Sequence, residues 1–514
     1  MRSTWGASSF RLRVYLLSWA VAGVVAVVAL TARFGPADAE GARFAPRPEA
    51  LEAAATAQSI VQAGKLRLQV GPYRLRPPQP PGWALILAGA LRVGVPPREL
   101  WHVTGFCGGI LAVLLAVAVT RSVRALRGPP PRGQWPTMAG AMAGAMAGLF
   151  AGSLFALAPV AIRLDRTLLS DEAVACLAGA ALLLGVRLLG PFRAIDWPAE
   201  QHATRRRAVA VGCGIVLGAL ASVEPVEALL LAPPLAILVA GCKETRTAAR
   251  AALPWAALGL LVFPLLAGAL LVRSGAPAWR WSSYDRWSAE RYGKLAAAFS
   301  PGFAAALPHE VPPAVHGEAW SRLGFIASSH LELSGGGKDH KVGPLWSGLC
   351  WISLAGLVIF GWQGRAKIAV PWRRLPLAVL VWVAGDLAAS YFFPHSRLHL
   401  AAAAAGLWAL GTAAGLGFGQ QKWTVRGVAI VGVCLMMVTA AAGSWRQLEE
   451  PAPAGFDPGA TERAVTAWLR LSDEERSERQ LQFDPLEAQA LGLLRPDVLA
   501  RVQRWGADPE RLRW

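Results

Sequence analysis

Ala158–Leu189 reads APVAIRLDRTLLSDEAVACLAGAALLLGVRLL. Pro159 closes one apolar block, a short turn carries Arg163, Asp165 and Arg166, and the acid pair Asp171–Glu172 opens a second block that stays apolar as far as Arg187. A bilayer core takes about 20 mostly apolar residues per helix. The stretch therefore reads as two membrane helices meeting at a polar turn. Outward from it, the same pattern repeats along a chain of 514 residues that is 54% hydrophobic and 16% charged. Soluble domains carry about 25% charged residues, so an ordinary soluble enzyme, a disordered chain and a secreted disulfide scaffold are excluded.

The expected fold is an all-α polytopic membrane protein with about 11 transmembrane helices. The segments are Arg13–Thr31, Leu100–Thr120, Met138–Ile162, Leu168–Leu189, Ala208–Val223, Pro225–Gly241, Ala252–Val272, Leu345–Trp362, Leu375–Pro394, Leu398–Phe418 and Val425–Gly443. Trp83–Val95 is apolar but too short to span, and reads as an interfacial or re-entrant helix. The Ser222–Pro225 corner splits a long apolar block into a tight helical hairpin.

The net charge of +18 does not point to nucleic acid, because the cations sit in short clusters between apolar blocks rather than in a basic domain. Cytoplasmic loops retain Lys and Arg. With a cytoplasmic N-terminus, every second loop is basic: Arg121–Arg132, Arg193–Arg207, Lys243–Arg250, Arg365–Arg374 and Lys422–Arg426. The intervening short loops are acidic or mixed. This alternation places the C-terminus outside, and the Ala-, Arg- and Trp-rich composition suggests a bacterial inner or plasma membrane. Ala37-Asp38-Ala39 resembles a signal cleavage site, but the apolar core before it is longer than that of a typical signal peptide, so the first helix is expected to be retained.

Residues 1–444 read as one transmembrane domain with two long outer loops, 34–99 and 273–343. Residues 445–514 read as a small polar helical segment on the outer face. The first loop holds an amphipathic helix, Glu49–Gln62, a turn at Gly64 and a Pro-rich crossing, RPPQPPGW, at Arg76–Trp83. The second is rich in Trp and Tyr, as expected of a segment at the membrane interface.

Acids near a membrane face are costly unless solvated or used. The outer acids near the first spans are Asp38 with Glu40, Glu49 with Glu52, Asp165, and Asp171 with Glu172. Glu49 and Glu52 share one helix face and read either as a general base with a partner carboxylate or as a solvated face. Asp171 and Glu172 read either as acids complementing the helix dipole behind a Ser170 cap or as groups facing an outer cavity. The outer cations Arg76, Arg163, Arg166 and Arg397 either snorkel to headgroups or hold a phosphate with their planar fork. His395-Ser396-Arg397-Leu398-His399 at one hairpin tip favours the second use.

Three patterns are discounted. MAGAMAGAMAGLFAG (Met138–Gly152) repeats small residues every four positions, which suits close helix packing. SGGGKDHK (Ser334–Lys341) lacks P-loop spacing. The cysteines Cys107, Cys176, Cys213, Cys242, Cys350 and Cys434 show no paired spacing and read as bland thiols.

In its order of parts the chain resembles the GT-C superfamily of polytopic glycosyltransferases, which includes the dolichyl-phosphate-mannose–protein mannosyltransferases and bacterial relatives. The resemblance lies in one span followed by PRPEALEAAATAQSIVQAGKLRL (Pro46–Leu68) and RLRPPQPPGWALILAGALRVGV (Arg74–Val95). It continues in Ala158–Leu184, SSYDRWSAERY in the second outer loop, and PHSRLHLAAAAAGLWALG, and covers roughly residues 10–445. Departures are Glu rather than Asp at position 49, Ala53 where an aromatic is common, and two extra residues within RPPQPPG.

The resemblance implies a transferase that moves a sugar from a polyprenyl-phosphate-linked donor to a lipid, glycan or protein acceptor at the outer face, with inversion, amid membrane lipids. It puts the catalytic acid on Glu49 with Glu52 beside it, Asp38 and Glu40 being the rival assignment, and a second acidic motif on Asp171 and Glu172. It puts the lipid phosphate on Arg397, with Arg76 and His395 as helpers. A divalent metal ion takes part in some members, and the sequence does not decide that here. The rival classes are a secondary transporter, which calls for polar or broken helices at the midplane, and a non-catalytic scaffold of the same fold. The midplane residues are overwhelmingly Ala, Leu, Val and Gly, with Asp386 and Ser222–Glu224 as exceptions.

Overall fold

The computed structural model describes residues 2–34, 48–66, 68–70, 73–75, 80–127, 138–158, 161–162, 165, 168–190, 199–274, 343–363, 368–392 and 400–418, with scattered positions between 463 and 475. Its helices in chain order are α1 (Arg2–Phe34), α2 (Pro48–Ala63), α3 (Pro81–Arg92), α4 (Trp101–Arg127), α5 (Met138–Ala156), α6 (Asp171–Leu189) and α7 (Ala199–Val223). They continue with α8 (Pro225–Leu230), α9 (Ala232–Val239), α10 (Lys243–Leu260), α11 (Val262–Arg273), α12 (Gly343–Gln363), α13 (Val370–Phe392) and α14 (Leu400–Phe418).

Seven described helical stretches are long and apolar enough to cross a membrane, and Ala141–Ala156 and Pro225–Val239 are shorter apolar helices. The chain is a multi-pass membrane protein. The expected spans from Arg13–Thr31 to Leu398–Phe418 each fall on a described helix or helix pair, whereas Val425–Gly443 lies outside the described residues.

Three local features differ from the expectation, each for a backbone reason. The expected Pro225–Gly241 span is two short helices meeting at Leu231, because Pro233 and Pro234 lack the N–H groups that would carry the ladder through. The expected Ala252–Val272 span begins earlier, at Lys243, and is interrupted at Leu261. Pro264 cannot donate to the carbonyl of Leu260, four residues earlier. The segment between α1 and α4, expected as the first outer loop and called the first outer segment on that expectation, also contains strand: β1 (Leu68–Val70) pairs antiparallel with β2 (Tyr73–Leu75), Leu68 opposite Leu75. The alternation Leu66-Arg67-Leu68-Gln69-Val70 has the period of a strand.

The core is built on small residues. α4 lies against α1, α5, α6 and α14, and α5 lies between α4 and α14. The four-residue repeat in α5 sets its glycines on the α4 backbone. A Cβ at Gly144 would stand 3.1 Å from the Thr120 carbonyl oxygen, one at Gly148 2.5 Å from that of Ala116, and one at Gly152 2.9 Å from that of Ala112. Ala147 and Ala151, on the other side of α5, meet Gly415 and Gly411 of α14. In α7, Gly214 and Gly218 press on the α10 backbone at Ala256 and Leu260. Helices without side chains at the contact approach closely and gain dispersion over their whole length.

Long-range polar contacts join helix ends that the alternation of spans puts on one side. On the side of the basic loops, Arg127 Nη2 donates to the Gly415 carbonyl at 2.6 Å, near the end of α14. Arg374 Nη1 donates to the Ile237 carbonyl at 3.0 Å, near the end of α9. Terminal helix carbonyls lack partners within the helix, and a cation there also meets the favourable end of the dipole. On the other side, the α2 exit is strapped to the end of α11, where the Leu66 N–H donates to Ser274 Oγ at 2.7 Å. Gly64, at φ +61°, ends α2 in the left-handed region that favours glycine.

Candidate active site

The side opposite the basic loops carries the charged interior of the molecule. Arg33, in the last turn of α1, reaches Asp165 between α5 and α6: Arg33 Nε lies 2.8 Å from Asp165 Oδ2, both side chains being almost wholly buried. Arg33 Nη1 donates to the Ala156 carbonyl at 3.0 Å, at the end of α5. Its guanidinium also stands over the Phe155 ring, 5.8 Å from the centroid. Gly108 of α4 makes room for the pair, since a Cβ there would lie 2.8 Å from Arg33 Nε and 3.0 Å from Asp165 Oδ1. Thr104 Oγ1 donates to the Asp165 backbone carbonyl. Next to Arg33, Phe34 packs on Trp101 and His102, ring centroids 5.9 and 5.1 Å apart.

Asp171 and Glu172 open α6 immediately beyond this pair. Both are buried, Glu172 completely, and Glu172 lies within electrostatic range of Asp165, Asp171 and Arg33. Among the described residues neither Glu172 oxygen has a hydrogen-bond partner. The expected Ser170 cap is absent: Ser170 precedes α6 with no side-chain cap bond. Its φ of −83° and ψ of 0° depart from the extended conformation usual at an N-cap.

Leu168, two residues earlier, is buried and holds a φ of +56°. A branched side chain in that region is strained, and such strain persists only where the surroundings over-determine it. Here the carbonyl of Leu168 accepts a hydrogen bond from the buried Trp83 indole Nε1 at 3.1 Å. Trp83 sits in the first turn of α3, in the PPGW run, where Pro81 occupies the position that needs no N–H. Gly82 lets this turn lie on the end of α7, because a Cβ there would overlap the Ser222 and Val223 backbone. α3 in turn packs on α2, so the amphipathic helix of the first outer segment is tied through Trp83 to the root of the acid pair.

The predicted site residues fare unequally. Asp171 and Glu172 come together with Asp165 and Arg33. Glu52 is buried on α2. Glu49 lies in the first turn of α2, with its side chain outside the described set. Asp38, Glu40, Arg76, His395 and Arg397 lie outside the described residues, as do Arg163 and Arg166. Arg33 escaped the sequence reading. Its signal was a lone Arg in the last turn of the first span, at the end where it must either reach the headgroups or find a partner.

For a metal ion the described acids do not fit. No group of three His, Cys, Asp or Glu side chains among the described residues is placed to hold one, and Asp165 already faces the Arg33 guanidinium.

No protein-family model matches the chain, and no curated protein matches it in sequence. Solved structures do match. The Archaeoglobus fulgidus oligosaccharyltransferase, tethered with an acceptor peptide containing the NVT sequon, superposes at a TM-score of 0.54 and 13% identity, over 91% of this chain and 59% of that one. Its apo form gives 0.51 and 14%, over 91% and 60%. Its complex with an inhibitory peptide and a dolichol-phosphate gives 0.50 and 14%, over 91% and 60%. The chain therefore spans about three fifths of the length of these neighbours. The likeness is one of architecture: the chain shares the membrane-spanning fold of this oligosaccharyltransferase.

Proposed function

We propose that this membrane protein is a GT-C glycosyltransferase taking a sugar from a polyprenyl-phosphate-linked donor, with the acids of the first outer segment and the start of α6 forming its reaction face. The observation that carries the reading is the buried Arg33–Asp165–Glu172 cluster, tied through Trp83 to the first outer segment, within this fold. Supporting it, one of the solved neighbours is described in complex with a dolichol-phosphate and another with an acceptor peptide. The acceptor here is a hydroxyl of a lipid, glycan or protein.

In this reading residues 1–444 form the transmembrane domain and residues 445–514 a small segment on its outer face, in a bacterial inner or plasma membrane with a cytoplasmic N-terminus. The lipid tail of the donor lies in the bilayer and its phosphate at the outer mouth. Arg397, helped by Arg76 and His395, holds the phosphate and stabilises the charge that develops as the anomeric carbon–oxygen bond breaks. Glu49, with Glu52 beside it, takes the proton as the acceptor attacks the anomeric carbon from the opposite face. Asp38 and Glu40 are the alternative base. The glycosidic bond forms with inversion, and polyprenyl phosphate leaves. Asp171 and Glu172 close the polar floor of the site.

The test is transfer of radiolabelled sugar from polyprenyl-phosphate donors in membranes carrying wild type or Glu49→Gln. Transfer by wild type that is lost in Glu49→Gln at equal protein level supports the assignment. Transfer by both keeps the class and moves the base to Asp38, Glu40 or Asp171. Silence with every donor class contradicts the proposal.

A further inference from the structure

We infer that the Arg33–Asp165 ion pair is a positioning device that sets the first outer segment against the acid pair of α6, and that its loss lowers turnover rather than donor binding. The inference rests on the proposed transferase reading and deepens it.

The geometry describes a closed ring. Arg33 lies at the end of α1, one residue from the last residue before the first outer segment departs. That segment returns through α2 to α3, where Trp83 donates to the Leu168 carbonyl. Leu168 lies three residues beyond Asp165 and three before Asp171, and Asp165 closes the ring on Arg33 at 2.8 Å. Both roots of the segment are therefore fixed to one short stretch of chain, and that stretch opens directly into Asp171–Glu172. The strained Leu168 backbone sits in the middle of it.

Stability alone is a poor reason for the pair. Two fully desolvated charges lose their hydration, and their attraction in the interior repays this only partly, so an apolar pair of similar volume often folds as well. An apolar pair does not, however, define a direction. The guanidinium meets three groups at once, the Asp165 carboxylate on one side and the Ala156 carbonyl and Phe155 ring at the end of α5 on the other. This fork geometry belongs to Arg and not to Lys. The cleared space at Gly108 and the Thr104 bond to the Asp165 backbone hold the acid in the same place from the α4 side. A base carried on the first outer segment then meets the reacting hydroxyl in a fixed geometry, and misplacement by about 1 Å is enough to cost around a hundred-fold in rate.

The experiment compares Arg33→Met, Asp165→Leu, the double variant and Arg33→Lys in the full-length protein in detergent or liposomes. Three readouts are taken: thermal unfolding, kcat and KM for a polyprenyl-phosphate sugar, and spin-label distances between Gln62 on α2 and Arg121 on α4, each replaced by a labelled cysteine. Arg33→Met and Asp165→Leu each leave one buried charge uncompensated and are expected to unfold at lower temperature. The double variant is expected to regain the wild-type unfolding temperature while kcat stays at least ten-fold down, KM stays within about two-fold, and the distance distribution stays broad. Arg33→Lys is expected to keep stability and lose most of the turnover.

Recovery of kcat in step with stability in the double variant would overturn the inference, as would a distance distribution as narrow as wild type in every variant. If wild type transfers from no donor, the transferase reading fails by itself. A broadened distribution in the variants would then still support positioning of the segment, and an unchanged one would remove it.

Discussion

The two ends of the helical bundle use the same residue type in opposite ways. At the end that carries the basic loops, Arg127 and Arg374 donate to terminal carbonyls of α14 and α9 while remaining partly exposed. At the other end, Arg33 is buried and faces a buried carboxylate. The first arrangement leaves water available to the cation, so each contact is worth little and can be lost cheaply. The second removes both charges from water, so the partners depend on each other. Electrostatics at one end finish helices, and at the other they fix a site.

The largest effect expected from this contrast is at Asp165. Asp165→Ala strands the Arg33 guanidinium in a dry interior, and breaking a buried pair in this way costs about 3–5 kcal/mol. Chemical or thermal unfolding in detergent measures it, and a loss below about 1 kcal/mol would erase the distinction between the two ends. Next comes the packing that both ends share. Gly148→Val places a branched side chain against the Ala116 carbonyl and Thr120, and overpacking of this kind costs about 1–3 kcal/mol. It is expected to lower the yield of folded protein on size exclusion.

Trp83→Phe sharpens the comparison within the outer end, since it removes the bond to the Leu168 carbonyl while keeping most of the buried ring. A loss of about 1 kcal/mol is expected, accompanied by faster proteolysis of the first outer segment. The smallest effect belongs to the basic end: Arg374→Ala is expected to cost about 0.3–1 kcal/mol, with no change in transfer. An equal penalty for Arg374→Ala and Asp165→Ala would break the contrast.

Much of the architecture was legible because it is written in local patterns. The apolar blocks, the α2 and α3 helices of the first outer segment and the glycine repeat of α5 all follow from spacing over a few residues. The interruption at Leu231 was legible too, in the adjacent Pro233 and Pro234, and went unread because the block around it is uniformly apolar. The site was legible only in halves. Asp171 and Glu172 advertise themselves as acids at the mouth of an apolar run. Arg33 and Asp165 are far apart in sequence, and each alone reads as a residue snorkelling to a headgroup or a solvated turn. Their pairing depends on Gly108 of a third helix, which no spacing rule connects to either. Ser170 shows the reverse case, where a residue of the right type for a cap sits on a backbone that does not make one.

Whether the protein is a transferase is decided by sugar transfer in liposomes containing polyprenyl-phosphate-linked sugars, with purified Glu49→Gln and Glu172→Gln alongside wild type. The account predicts transfer by wild type with inverted anomeric configuration, and loss of at least a hundred-fold in Glu49→Gln with unfolding unchanged. It predicts a smaller loss in Glu172→Gln. Wild-type rates in both variants would move the base to Asp38, Glu40 or Asp171, and no transfer from any donor by well-folded protein would contradict the transferase reading itself.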